Sequence, residues 1–262
     1  MDILYTKVGA HEVEISTESK DFKNFIQRNF SVFKGKTSDP DIKITIKEGF
    51  GDPFVNYQVE VSKHEEEEMI HFRRADYLIE SVSDYRNSVI YAHNEFALKH
   101  AITNLYSSFI VCHNWGLLIH SSCAIENGKA HIFSGQSGAG KSTAAKLSAP
   151  RELLSDEATI LKIDDGKVTV FDSPFRSELE ATGTHETAPL ASIQLLHQAL
   201  HNNRTYLKKS DALIHLLDKV FYWAHSPEET KQVIKLLNKL VVTVPVYDLH
   251  FQKNNHFWEL IS

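Results

Sequence analysis

Gly135-Gln136-Ser137-Gly138-Ala139-Gly140-Lys141-Ser142-Thr143 separates an apolar run, Ala130-His131-Ile132-Phe133-Ser134, from a helical pattern over Ser142 to Leu147. The run reads as a short buried strand, so the loop falls at a strand-to-helix turn, the context in which a phosphate-binding loop works. Glycines at 135, 138 and 140 open backbone conformations closed to other residues, which lets successive N–H groups of Gly135 to Thr143 turn inward onto phosphate oxygens. Lys141 then meets the β- and γ-phosphates as a point charge, and the Ser142 hydroxyl is placed to ligate Mg²⁺. Average residue usage gives such a pattern by chance in about 1% of chains this long, so the stretch is read as chemistry. It implies a bound nucleoside triphosphate, ATP or a relative, with Mg²⁺.

Downstream, Asp156-Glu157 follows the apolar pair Leu153-Leu154 after only a short helix and a tight return. That makes the two acids candidates for the end of a strand beside the loop. In an ordinary phosphate-loop ATPase or GTPase the magnesium-binding acid arrives much later in the chain, so the compact spacing points to another kind of enzyme.

Residues 1–93 read as a β-rich domain without a catalytic motif: Val13 to Ile15, Asp41 to Ile46, Tyr57 to Val61 and Ser88 to Tyr91 alternate as half-exposed strands do. From Asn94 the period changes, with Phe96, Ala97, Ala101, Leu105 and Phe109 at helical spacing and Asn94 available as the cap. We assign that helix, with the rest of 94–262, to the nucleotide-binding domain. Short strands are expected at Leu117 to His120, Leu153-Leu154, Thr159 to Ile163 and Val168 to Val170, with Asp164 to Lys167 as a hairpin turn. Helices are expected at Leu190 to Leu200, Ser210 to Trp223 and Pro227 to Leu240, before a last strand over Val241 to Val246. The fold class is thus α/β (α+β), with a helical C-terminal part.

At 262 residues, 42% hydrophobic and 24% charged, the chain has ordinary globular composition. A net charge of −6 with no basic cluster argues against nucleic acid as a partner. The acidic run Glu65 to Glu68 reads as a solvated loop. No apolar stretch is long enough for a membrane span, and the N-terminus lacks signal-peptide character, which gives a cytoplasmic expectation. Cys112 and Cys123 are too few for a disulfide scaffold. His197 and His201 stand four apart on the expected helix but lack a third ligand, so no structural metal is assigned. Self-association is left open.

His120, the Gly135 to Thr143 loop, the short step to Leu153-Leu154-Ser155-Asp156-Glu157, and Ser173-Pro174-Phe175-Arg176 together resemble the catalytic domain of HPr serine kinase and its relatives, which share a fold with phosphoenolpyruvate carboxykinase. The resemblance covers roughly residues 115 to 260. It is nearest to HPr-kinase-like enzymes of peptide-modification clusters, including lasso peptide kinases. It implies that Lys141 and the loop amides hold the phosphates, and that Ser142 with Asp156 or Glu157 holds Mg²⁺. It further implies that Asp156 takes the acceptor's proton, that His120 orients it, and that Arg176 stabilises the transferring phosphoryl group. Two departures stand out: Glu157 replaces the second of two consecutive aspartates, and the downstream Glu-(Ile/Val)-Arg-Gly signature is missing. The expected activity is a kinase that phosphorylates a hydroxyl, with serine of a peptide or protein as the acceptor. A free small-molecule acceptor and a non-catalytic ATP sensor are the alternatives. The segment Ala181 to Thr187 is expected to border the acceptor entrance.

Overall fold

The computed structural model describes residues 2–35, 37–64, 68–179 and 184–261. Most of the Glu65 to Glu68 run therefore lies outside the described residues. Two compact units divide the chain: Met1–His113 with Tyr222–Thr230, and Asn114–Phe221 with Lys231–Ser262.

In the first unit the strands are β1 (Asp2–Val8), β2 (His11–Thr17), β3 (Val32–Phe33), β4 (Ile42–Glu48), β5 (Glu60–His64), β6 (Met69–Arg74), β7 (Tyr77–Val82) and β8 (Asn87–Ala92). They form one sheet in the order β3-β1-β2-β4-β8-β7-β6-β5, with β4 parallel to both β2 and β8. Alternation along β2 and β4 puts Val13, Ile15, Ile42, Ile44 and Ile46 in the core, as the period-2 pattern requires. Two helices complete the unit: α1 (Lys20–Asn29), capped by Ser19, and α2 (Glu95–Cys112). Asn94 caps α2 as expected, its side chain accepting from Ala97 N at 3.0 Å. α2 packs on β7, β8 and α1 and is buried over most of its circumference. It belongs to this unit, so the division falls after His113 and not after His93.

The second unit contains β9 (Gly116–Glu126), β10 (Lys129–Ser134), α3 (Lys141–Leu147), β11 (Leu153–Ser155), β12 (Ala158–Asp164), β13 (Lys167–Phe171), β14 (Thr187–Gln198), β15 (Asn203–Tyr206), α4 (Lys209–Leu217), α5 (from Pro227, running to Thr243) and β16 (Val246–Phe251). Its strand pairings close on themselves. β9 pairs β10 and β12, β12 pairs β13, β13 pairs the start of β14, and β14 runs parallel to β10. β16 lies parallel to β14 on its other side, with β15 outermost. The fold is mixed α/β, two large sheets with few helices.

Three sequence expectations for the C-terminal part are corrected. Residues 190–198 are strand, not helix: Ile193, Gln194, Leu195 and Leu196 are all buried, because β14 sits between β10 and β16 and both its faces are covered. Such a continuous apolar run carries no period-2 signal and mimics a buried helix. The helix expected up to Trp223 stops at Leu217. α5 runs on through Val241 and Val242 to Thr243, which moves the last strand to Val246–Phe251.

A candidate nucleotide site at the Gly135–Thr143 loop

Register places the loop. β10 pairs with β9 as far as Ser134 opposite Ser121, and Ser134 Oγ donates to His120 O at 2.9 Å. Beyond that point β10 leaves the sheet, and the chain after α4 takes its edge. His120 N donates to Lys219 O at 2.7 Å and Phe221 N to Leu118 O at 2.9 Å, around an antiparallel bridge between Ile119 and Val220. The loop therefore emerges where His120 and Lys219 sit side by side.

Gly138 has φ +79° and Gly140, at the start of α3, has φ +108°, both in the region that favours glycine. At Gly140 a Cβ would also come within 2.8 Å of Phe251 Cζ, so this position is closed to side chains twice over. Gln198 Nε2 holds the loop from outside by donating to Gly138 O at 2.7 Å. Beneath it, Ala144 and Ala145 of α3 pack into a cluster with Phe133, Leu153, Leu196, Phe251 and Trp258. The loop thus rests on a rigid floor. Lys141, only 8% exposed, turns its ammonium back onto the loop and donates to Gly135 O and Gln136 O, both at 3.0 Å. On the loop's other flank a cavity of about 520 Å³ is lined by Gly140, Thr143, residues 198–200 and residues 251–254.

The charges around Lys141 are unevenly balanced. Its amine is held below its ordinary pKa by burial first and by the neighbouring Lys219 next, while Glu157 opposes both. His120 is pushed down to about 4, through burial, then Lys141, then Lys219. The imidazole is neutral at pH 7 and flanked by two ammonium groups. Among the acids, the one whose charge Lys141 feels is Glu157.

Asp156 is placed differently from the expectation. It is 2% exposed, and its carboxylate accepts from Ser177 N at 3.0 Å, Ser177 Oγ at 3.0 Å, Glu178 N at 2.9 Å and Leu179 N at 2.9 Å. Those bonds make it the organiser of the 177–179 turn. Arg176 begins that turn, with Nη2 donating to Leu153 O at 3.0 Å and to Asp172 Oδ1 at 2.5 Å, while its buried Nη1 has no hydrogen-bond partner. Replacing Asp156 by Ala removes the acceptor of four part-buried donors, and a buried donor left unsatisfied costs about 1–3 kcal/mol. A loss of at least about 2 kcal/mol is expected for Asp156→Ala in urea titrations. An unshifted midpoint would remove Asp156 from this structural role.

Residues 181–183 of the expected acceptor-entrance segment lie outside the described residues. Just after them, His185 bonds to Glu152 through both its ring Nδ1 and its backbone N. His197 lies on β14 and not on a helix, with Nε2 2.8 Å from Asp248 Oδ1 and its ring stacked on His250. Among the described residues no group of three or more His, Cys, Asp or Glu could hold a metal ion. Likewise, no helix is long and apolar enough to cross a membrane.

His131, on β10, is 7% exposed, and its Nδ1 lies 2.9 Å from Ser192 Oγ. Burial first, then the Arg204 guanidinium, pushes its pKa down to about 4. In the unfolded chain the group titrates near 6.5, so below that pH the unfolded state takes up the proton that the folded state refuses. This contribution is fully present above pH 6.5 and is lost as pH falls towards 4. Between pH 7 and 5 it amounts to about 2 kcal/mol. His131→Gln should shrink the stability difference between those two pH values by that amount, as measured by chemical denaturation; an unchanged difference counts against a neutral buried His131.

Fold and site together define a mixed α/β protein whose second unit presents a glycine-rich Lys141 loop at a strand-to-helix turn. The chain belongs to the ScmC family, described as SynChlorMet cassette protein ScmC, which matches residues 92–262. This membership corrects the resemblance drawn from the sequence: the matching family is ScmC and not an HPr kinase family. No curated protein matches the chain.

Proposed function

We propose that the second unit is a nucleoside triphosphate- and Mg²⁺-dependent phosphotransferase acting on a hydroxyl, a serine of a peptide or protein being the acceptor class. The observation that carries this reading is the parked Lys141 ammonium, held by two loop carbonyls beside a neutral His120. Bound phosphates offer that ammonium stronger, charged acceptors than the carbonyls it now uses. The 520 Å³ cavity beside Gly140 and Thr143 has the size of a small-molecule site and lies on the flank where a nucleoside continues from the phosphates. Ser142 and Glu157 supply hard oxygen donors of the kind Mg²⁺ takes, and the ion would neutralise charge on the β- and γ-phosphates.

In this mechanism the loop amides and Lys141 hold the donor. The bond from the γ-phosphorus to the β-phosphate oxygen breaks, and a new bond forms to the acceptor oxygen. The hydroxyl proton passes to a ring nitrogen of His120, and the nucleoside diphosphate leaves. His120 takes this role in place of Asp156 because the Asp156 carboxylate is committed to the 177–179 turn. Phosphates beside Lys141 and Lys219 offset the two charges that depress His120, which returns the imidazole towards its ordinary basicity. Free cysteines and an ATP donor both fit the cytoplasm. A family described as a cassette protein fits an acceptor encoded nearby.

The test is incubation with Mg²⁺ and γ-labelled ATP against a serine-containing peptide and free serine. Label on the peptide is expected. Nucleotide binding without label on any hydroxyl would favour an ATP sensor, and absence of nucleotide binding would remove the reading altogether.

A further inference from the structure

Lys219 has no place in any motif, yet the fold sets it at the mouth of the loop. Its backbone oxygen accepts from His120 N at 2.7 Å, one register position beyond the last β9–β10 pair, so it occupies the edge that β10 leaves to become the loop. It follows directly on α4, whose C-terminal carbonyls favour a cation there. The side chain is 9% exposed, and among the described residues it pairs with the adjacent Asp218 at 2.6 Å, a carboxylate 62% exposed.

That pairing does not explain the burial. An acid so open to water is solvated without help, whereas a buried ammonium loses hydration and, here, also faces a second buried lysine. Lys219 shares a backbone hydrogen bond with His120, and the Lys141 loop leaves β10 at that same point, where Ser134 Oγ donates to His120 O, so three basic groups gather at one point along β9. The acid paired with Lys219 is Asp218, which lies at the surface. Such a cluster is costly when empty and is relieved by a multiply charged anion.

We propose that Lys219 is a second phosphate-binding cation of this site, engaging the terminal phosphates of the donor alongside Lys141. The proposal deepens the phosphotransferase reading and rests on it for the identity of the anion. With two lysines at the phosphoryl group, charge that spreads over its oxygens during transfer meets fixed cations from two sides. Asp218 then acts as a counter-ion that lets go when the phosphates arrive.

The test measures binding of inorganic tripolyphosphate and of ATP with Mg²⁺, by calorimetry, to the full chain and to four variants. Lys219→Gln should weaken tripolyphosphate binding about tenfold, and Lys219→Arg should retain most of it. Asp218→Asn, at an exposed position that should not endanger folding, should tighten binding about threefold at low salt. Lys239→Met, at a surface lysine paired with Asp165, should change nothing. If Lys219→Gln does not fold, Asp218→Asn and Lys219→Arg decide the question. Unaltered binding in both Lys219→Gln and Asp218→Asn overturns the role of Lys219 alone. A wild-type protein that binds neither ligand overturns this proposal together with the nucleotide reading. Binding with the expected pattern but no phosphotransfer keeps Lys219 as a phosphate ligand and removes the kinase.

Discussion

Lys141→Met is expected to lower phosphotransfer by about 10²–10³ while leaving the fold in place. The size follows from what the side chain does. Its ammonium donates to Gly135 O and Gln136 O at 3.0 Å each, whereas in the proposed mechanism it turns to phosphate oxygens when a donor binds. A methionine keeps most of the aliphatic stem that packs beneath the loop and removes only the charge. Loss of rate should therefore come without loss of circular dichroism or a large fall in thermal midpoint. Single-turnover rates with saturating ATP separate binding from chemistry. A folded Lys141→Met protein that transfers phosphate at the wild-type rate would end the phosphotransferase reading.

The two halves of the site were unequally legible in sequence. Gly135 to Thr143 stands out because a phosphate-binding loop would need glycine at fixed positions and a lysine after them, and Gly138 and Gly140 do take left-handed backbone conformations. Short strands around the loop, the Asn94 cap and the Asp164 to Lys167 hairpin could be read for the same reason, since each has a local signature. Lys219 has none. Its importance arises from a pairing with β9 across about a hundred residues of chain, and Leu216-Leu217-Asp218-Lys219-Val220-Phe221 looks like any helix end.

Asp156 shows the converse failure. Its spacing after the loop suggested a reactive carboxylate, and nothing in that spacing announced the three backbone amides and one hydroxyl that donate to it. β14 was hidden by its own burial. A strand covered on both faces shows neither alternation nor helical period, and only its neighbours β10 and β16 reveal what it is. The family name followed the same course: local motifs suggested HPr kinase, whereas the match over residues 92–262 is to ScmC.

His120→Asn is expected to lower the chemical step by about 10²–10⁴ with nucleotide affinity nearly unchanged, because an amide cannot take the acceptor's proton. The pH dependence supplies a sharper test than the rate alone. In the free protein the imidazole sits near 4, held there by burial and by Lys141 and Lys219. A base must be unprotonated to work, so activity falls as pH drops through its pKa. The free-enzyme value governs kcat/KM and the value in the complex governs kcat. Phosphates offset the lysines in the complex, so its value rises there, while burial, the largest cause of the depression, still holds it below the ordinary range. The acid limb of wild-type kcat should thus lie at higher pH than that of kcat/KM, which stays level to about pH 5. In His120→Asn the decline in kcat should disappear, and any limb that remains belongs to the nucleotide or to another group. Identical acid limbs in kcat for wild type and variant, with rates differing by less than about threefold, would show that the proton leaves by another route.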